Sequence, residues 1–378
     1  MSKSLPKKHV DYWLLAIVSI LLVWGLFTVS ATSFPLSLQN FDHPWHYVWR
    51  QLVMVGGGLL LGLLFFKLKP EWLKKYGPYL FFANIVSLLL VFMPKIGLEL
   101  QGSHRWLNLW FFLLQPSEFL KIFFAIYLAA WLVPRVEAKK QKRKEVLESW
   151  QTLTPFLLVI GALFVILIIQ PDLSTLIIIA VMGVAMYFLA GTPVKHFLLL
   201  LGAGTAILLA AIKLAPYRLA RLTAFLNPEA NPLGTGFQLK QALIGLGSGG
   251  IAGIGGGLAF GLSKQKFGFL PHPTSDSIFA IVGEELGFLG AVLLVILFVI
   301  LIWRGFKIAN SLEDNFQRIL ASGIVFWIGF QAFFNIGGII GILPLGGVPL
   351  PFFSQGGSHI ITELAAMGIL LNFSQTKN

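Results

Sequence analysis

An aspartate at the mouth of an apolar run, preceded by a basic, glycine-rich approach, is the feature of this sequence best suited to chemistry. Asp276 follows Pro271-His272-Pro273-Thr274-Ser275 and opens onto Ile278, Phe279, Ile281 and Val282. A carboxylate there has two roles open to it. It can cap a helix, accepting bonds from orphan backbone N–H groups and complementing the dipole. It can instead serve as a general base beside a bound anion. Scarcity argues for chemistry, because between Tyr217 and Asp276 the cations Arg218, Arg221, Lys240, Lys264 and Lys266 face only Glu229 and Asp276. A segment of that sign wants an anion, although long translocated loops tolerate either sign.

Gly245, Gly247, Gly249, Gly250, Gly253, Gly255, Gly256 and Gly257 offer superficial GxGxxG matches. No strand precedes them, no acid follows at the dinucleotide spacing and no GK[ST] is present, so Rossmann and P-loop readings fail. Two readings are left: backbone N–H groups approaching phosphate oxygens, with Lys264 and Lys266 supplying charge, or a re-entrant turn. Glu118 and Lys121, in Gln115-Pro116-Ser117-Glu118-Phe119-Leu120-Lys121, sit one helical turn apart. An isolated charge at a helix centre in a bilayer costs roughly 2.5–3.5 kcal/mol, so these two should be paired, either as a structural ion pair or as the lining of a substrate groove. Glu363 is a similar case.

The elements that position these residues are set by composition. With 56% hydrophobic and 12% charged residues over 378 positions, and a mean hydropathy of +0.81, the chain has too few charges to cover a soluble globule. Apolar runs long enough to cross a bilayer recur throughout, and backbone satisfaction in lipid makes them helices. The expected fold is all-α: a polytopic membrane protein with about ten spans, near 12–31, 48–66, 79–94, 116–133, 154–170, 173–190, 196–215, 277–303, 318–342 and 357–374. It forms a single membrane domain over 1–378, with a large extracellular loop, 216–277, between the seventh and eighth spans. Lys3, Lys7 and Lys8, then Lys67 to Lys75, Arg135 to Lys144, and Arg304 to Arg318 fall on alternate loops, which places both termini in the cytoplasm. The segment 233–250 reads as a short amphipathic helix at the membrane surface. The net charge of +12 lies mostly in short loops, which argues against a nucleic-acid partner. Cysteine is absent and the seven histidines show no HExxH or paired spacing, so neither a thiolate site nor a zinc centre is expected. On composition alone, transporter and enzyme both stand open.

Several blocks together resemble the SEDS family of bacterial membrane proteins, which includes FtsW, RodA and SpoVE. Gly102-Ser103-His104-Arg105-Trp106 is similar to its GxxRW block, Gln115-Pro116-Ser117-Glu118 to QPSE, and Gln170-Pro171-Asp172-Leu173-Ser174-Thr175 to QPDxxT. Ser263-Lys264-Gln265-Lys266, Asp276-Ser277-Ile278-Phe279-Ala280, Gly283-Glu284-Glu285-Leu286-Gly287 and Gly347-Val348-Pro349-Leu350-Pro351-Phe352 through Ser354-Gln355-Gly356-Gly357-Ser358 follow in the family's order. The chain departs from the pattern at His272, Thr274 and Gln355, where the family has glutamate, histidine and tyrosine.

The resemblance implies a peptidoglycan glycosyltransferase that polymerises lipid II outside the cytoplasmic membrane, with an essential aspartate that maps onto Asp276. Read onto that reaction, Arg105, Lys264 and Lys266, with Arg218 or Arg221, are expected to meet the substrate pyrophosphate, and Glu118, Lys121, Ser263, Gln265 and Ser354 are candidates to line the substrate site. It implies as partners a class B penicillin-binding transpeptidase, other divisome proteins and membrane lipids. The Ser263–Lys266 block favours the division type, at the septum; an elongation-type polymerase and a lipid II flippase are the alternatives. No cofactor is assigned. Mg2+ or Mn2+ held by Asp276 is the alternative to Asp276 as base.

Overall fold

The computed structural model describes residues 10–100, 103–108, 113–140, 150–227, 235–254 and 262–375. Each of the ten expected spans falls on a helix: α1 Tyr12–Phe41, α2 His46–Lys67, α3 Pro70–Leu90, α4 Pro116–Lys140, α5 Trp150–Ile169, α6 Leu173–Leu189, α7 Val194–Lys213, α10 Ile278–Ser311, α11 Asn315–Ile339 and α12 Ser358–Ser374. Between α7 and α10 lie α8 Pro216–Leu226, α9 Thr235–Ser248 and a 3-10 turn at Gln265–Phe267. Seven of these helices (α1, α2, α4, α5, α7, α10 and α11) are long and apolar enough to cross a bilayer by length and composition. The other three expected spans sit on the 17-residue α6 and α12, and on α3, whose first turns carry Glu71, Lys74 and Lys75.

Boundaries moved where local chemistry overrides hydropathy. Helix α1 runs ten residues past the expected end and stops at Asp42, which adopts a left-handed φ of 52°. Helix α3 starts early because Pro70, with φ preset and no N–H to lose, opens it. The described part of the stretch between α3 and α4 is not helical. It forms a small antiparallel sheet, β1 Gly97–Leu100, β2 Ser103–Asn108 and β3 Leu113–Leu114, pairing Gly97 with Leu107 and Glu99 with His104.

Helices α11 and α12 form the middle of the bundle, with α4 and α10 against α11, and α2 along α12. Small residues permit the closest approach: a Cβ on Gly368 would lie 2.1 Å from the carbonyl oxygen of Gly62, the backbone contact by which membrane helices pack without a hydrophobic drive. Outward faces are apolar. Trp13, Ile20 and Phe27, spaced along one side of α1, are 70%, 50% and 67% exposed, as a lipid-facing stripe requires.

The large loop folds back on α10. That helix breaks at Gly287 (φ 67°, ψ −164°), and the N–H groups freed there are taken up by the loop: Phe288 N donates to Gly250 O at 2.9 Å and Leu289 N to Ile251 O at 3.1 Å. A Cβ at Gly249 would sit 2.0 Å from Gly283 O, and one at Gly253 2.1 Å from Glu285 O. These glycines serve close backbone packing, so the phosphate-cradle reading is corrected for them in favour of the turn. Gly255, Gly256 and Gly257 lie outside the described residues.

Candidate active site

The first residue of α10 is Ile278, and the capping position is Ser277, whose side chain makes no cap bond. Asp276 precedes it and does not cap. Its Oδ2 accepts from Gln238 Nε2 at 3.2 Å and its Oδ1 from Ser275 Oγ at 3.2 Å. Both partners are neutral, and among the described residues no ion pair holds this carboxylate. It is half-buried. The capping reading therefore gives way: the side chain is displayed rather than consumed by the helix.

Beside it lies a cavity of about 210 Å³ lined by Arg221, Ala224, Phe225, Gln238, Leu239, Pro271, His272 and Leu345. Asp276 is not itself a lining residue, but shares Gln238 with the cavity wall. Arg221 reaches it from α8, Gln238 from α9 and His272 from the approach to α10, so three parts of the large loop converge here. Gly347 makes room. With φ at 65°, a Cβ there would lie 3.7 Å from Asp276 Oδ2 and 3.8 Å from Arg221 Nη1, so a positive and a negative side chain flank one bare backbone position.

The segment around Asp276 is pinned from below by the connection between α11 and α12. Asn335 Nδ2 donates to Asp276 O and to Val348 O, each at 2.7 Å. Ser354 Oγ donates to Ser275 O at 2.5 Å and accepts from Leu350 N at 2.8 Å. Gln355 N donates to Thr274 O at 2.8 Å. Ser354 is fully buried, so its expected substrate contact is corrected to a backbone tie.

Three of the four residues in the basic block turn inward. Lys266 is 3% exposed and pairs with Glu285 at 3.6 Å. Ser263 is fully buried, with its hydroxyl on Glu284 Oε2 and its N–H directed at Glu285 Oε1 at 3.4 Å. The backbone N–H groups of Lys264 and Gln265 also bond Glu284, at 3.1 and 3.4 Å. Gln265 is itself buried. Expected as anion and substrate contacts, Lys266, Ser263 and Gln265 instead strap the loop to α10, because two carboxylates buried in the helix require every donor the loop can offer. Lys264 remains exposed.

The other cations are engaged locally. Arg105 Nε donates to Gln170 O at 3.0 Å and its Nη2 to Pro171 O, so it clamps the turn ahead of α6. Arg218 is buried and bonds Ala211 O at 3.0 Å. Both are engaged with backbone carbonyls, whereas of the three arginines Arg221 lines the cavity. Glu118 and Lys121 form a buried ion pair of 2.7 Å. Lys121 Nζ also donates to Gln331 Oε1 at 2.9 Å, and Gln331 Nε2 to Glu363 Oε1 at 3.1 Å. Of the two readings left open for the pair, the structure supports the structural one.

The comparisons with known proteins agree with this layout. A family model for cell cycle proteins of the FtsW/RodA/SpoVE type matches residues 12–378. This chain belongs to that family. It is 40% identical to a probable peptidoglycan glycosyltransferase FtsW of Coxiella burnetii over 100% of this chain and 99% of the relative. It is 36% identical to the stage V sporulation protein E of Bacillus subtilis, covering 98% of each. Among solved structures, a chain of a peptidoglycan synthase complex that coordinates polymerization and crosslinking superposes with a TM-score of 0.76 at 26% identity, over 98% of this chain and 99% of that one. The rod shape determining protein RodA of Thermus thermophilus superposes with a TM-score of 0.67 at 25% identity, over 98% of both chains.

As a member of the FtsW/RodA/SpoVE family the protein is a multi-pass membrane protein, and three positions in its site stand out beyond those the sequence pointed to. Gln238 touches the carboxylate, Asn335 holds its backbone, and Gly347 opens the space before it. Asn335 carried a signal: an amide in the middle of an apolar span is expected to be there for its hydrogen bonds. Gln238 carried none, since a glutamine on the polar side of an amphipathic helix is ordinary.

Proposed function

We propose that this family member is a peptidoglycan glycosyltransferase that polymerises lipid II on the outer face of the cytoplasmic membrane, in the division branch of the family and at the septum. The observation that carries the reading is a carboxylate held, among the described residues, only by neutral donors beside a cavity that also presents Arg221. In the reaction, the 4-hydroxyl of an acceptor sugar attacks the anomeric carbon of the lipid-linked donor. A new C–O glycosidic bond forms, the old anomeric C–O bond breaks, and undecaprenyl pyrophosphate leaves with the electron pair. Asp276 orients the attacking hydroxyl and takes its proton, a contribution of about 10² to 10⁴ in rate. Arg221, with Lys264 at the exposed rim, meets the charge that builds on the leaving pyrophosphate. One carboxylate suffices because the leaving group needs no proton, unlike the alkoxide that a glycosidase expels.

A divalent cation fits this site only in a shared form. Among the described residues no three His, Cys, Asp or Glu side chains gather as a metal cage, so Mg2+ or Mn2+ would be held by Asp276 together with the pyrophosphate oxygens and water, as such ions often are. When bound, it would add positive charge to the leaving group. The partner proposed is a class B penicillin-binding transpeptidase, with other divisome proteins; it would cross-link the glycan made here. The orientation that puts the large loop outside and both termini in the cytoplasm follows from the alternation of lysine and arginine between loops.

The test is polymerisation of lipid II by the full chain together with its transpeptidase, comparing wild type with Asp276→Asn at matched metal concentrations. Glycan from the wild type alone is the expected result. Equal polymer from both would remove Asp276 from the reaction. Translocation of lipid II without polymer, under every condition in which the partner is active, would favour a flippase.

A further inference from the structure

Asp276 is a short-chained base at the end of a helix, and its reach is decided by its backbone. That backbone is not held by α10. The residues bonded to the segment 274–276 come from another part of the chain, the connection from Asn335 to Gln355. Asn335 bonds Asp276 O, Ser354 bonds Ser275 O, and Gln355 N bonds Thr274 O. Of three consecutive carbonyls, two are therefore tied to the loop between α11 and α12, and the third to Asn335 in the last turns of α11, which also holds that loop.

The loop is itself held rigidly from inside the bundle. Asn335 binds it through Val348 O at 2.7 Å, Gln331 Nε2 through Pro349 O at 3.0 Å, and Glu363 Oε2 through Phe352 N at 2.8 Å. Glu363 and Gln331 are both fully buried, and Gln331 is joined to Lys121. Charged and amide side chains are costly at this depth, and here their hydrogen bonds are spent on the loop's backbone. Asn335 makes the point most directly. Both of its bonds are donated to carbonyls while its Oδ1 is buried without a partner, an arrangement that serves the donors at the expense of the acceptor.

We propose that this loop is a positioning platform for Asp276, with Asn335 and Ser354 as its positioning residues and the buried Lys121–Gln331–Glu363 chain as its foundation. The proposal rests on the reading of Asp276 as the base. Neither Asn335 nor Ser354 touches the substrate; each acts by fixing where the carboxylate stands. Displacing a reacting group by about 1 Å can cost up to about 10² in rate, and residues acting as one unit give losses that do not add.

The experiment measures steady-state lipid II polymerisation by full-length Asn335→Ala, Ser354→Ala and the double variant with the transpeptidase present, beside wild type and Asp276→Asn. Thermal unfolding of each supplies the folded fraction. We expect kcat per folded enzyme to fall about 10-fold or more in each single variant with KM nearly unchanged, and the double variant to lose about as much as the worse single. The platform is overturned if kcat of the folded enzyme stays at the wild-type value, if KM rises instead, or if the two losses multiply. The two variants sit on independent elements, so misfolding of one leaves the other to decide. An inactive Asp276→Asn beside unaffected single variants would refute the platform alone, whereas an active Asp276→Asn would refute the base on which it stands.

Discussion

The chain carries three carboxylates within one short stretch, and it treats them in opposite ways. Glu284 and Glu285 are 1% and 2% exposed and gather donors from Ser263, Lys264, Gln265 and Lys266. Asp276 is half-buried, meets only Gln238 and Ser275, and has no cation within ion-pair distance among the described residues. A carboxylate saturated with donors is stabilised as an anion and has little left to give a substrate. One with two neutral partners keeps acceptor lone pairs open. Saturation thus marks a fastening, and partial satisfaction leaves Asp276 open for the role proposed for it, even though the sequence presents the two regions as one basic and acidic block.

The sharpest way to break that comparison is to remove each kind of carboxylate in turn. Asp276→Asn should lower glycan synthesis by about 10² to 10⁴ and leave the unfolding temperature close to wild type, as read by polymer assay and thermal denaturation in detergent. Glu285→Ala should do the reverse: it removes one partner of a buried ion pair, which costs roughly 3–5 kcal/mol, and the unfolding temperature should drop clearly. A stable, active Glu285→Ala protein would show that the strap is dispensable. Arg221→Ala comes next in size. With the strongest positive group at the cavity gone, activity should fall by about 10². A fall in unfolding temperature with unchanged activity per folded enzyme would instead place Arg221 with Arg105 and Arg218, whose guanidinium groups hold backbone carbonyls.

Much of this site was legible in the sequence wherever scarcity carried information. A lone acid among cations in an apolar chain stands out, so Asp276 was singled out, and the cost of charge in lipid required Glu118 and Lys121 to pair, which they do at 2.7 Å. What spacing could not say is which way a loop residue turns. Lys264 and Lys266 are equivalent on paper, yet the 3-10 turn at Gln265–Phe267 sends Lys266 inward to Glu285 and leaves Lys264 outside. The ties from Asn335 and Ser354 were hidden for a different reason: their partners are backbone carbonyls some 60 to 80 positions away, and a carbonyl has no letter in the sequence. The glycine run misled because a close backbone contact at Gly249 and Gly253 needs the same residue type as a phosphate cradle.

Lys264 offers the smallest effect and the finest discrimination. Its backbone N–H is tied to Glu284 at 3.1 Å while its side chain is exposed, so Lys264→Ala removes a charge without disturbing the strap. An exposed ammonium acts on a pyrophosphate through solvent, where attraction is weak and salt shortens its range to about 8–10 Å at physiological ionic strength. Lys264→Ala should therefore raise KM for lipid II several-fold at low salt, and the difference from wild type should shrink as salt is added. A difference that persists undiminished at about 1 M salt would mean that the ammonium is desolvated against the substrate, making Lys264 part of the inner site alongside Arg221. A lower unfolding temperature would assign its side chain to the fastening instead, together with that of Lys266.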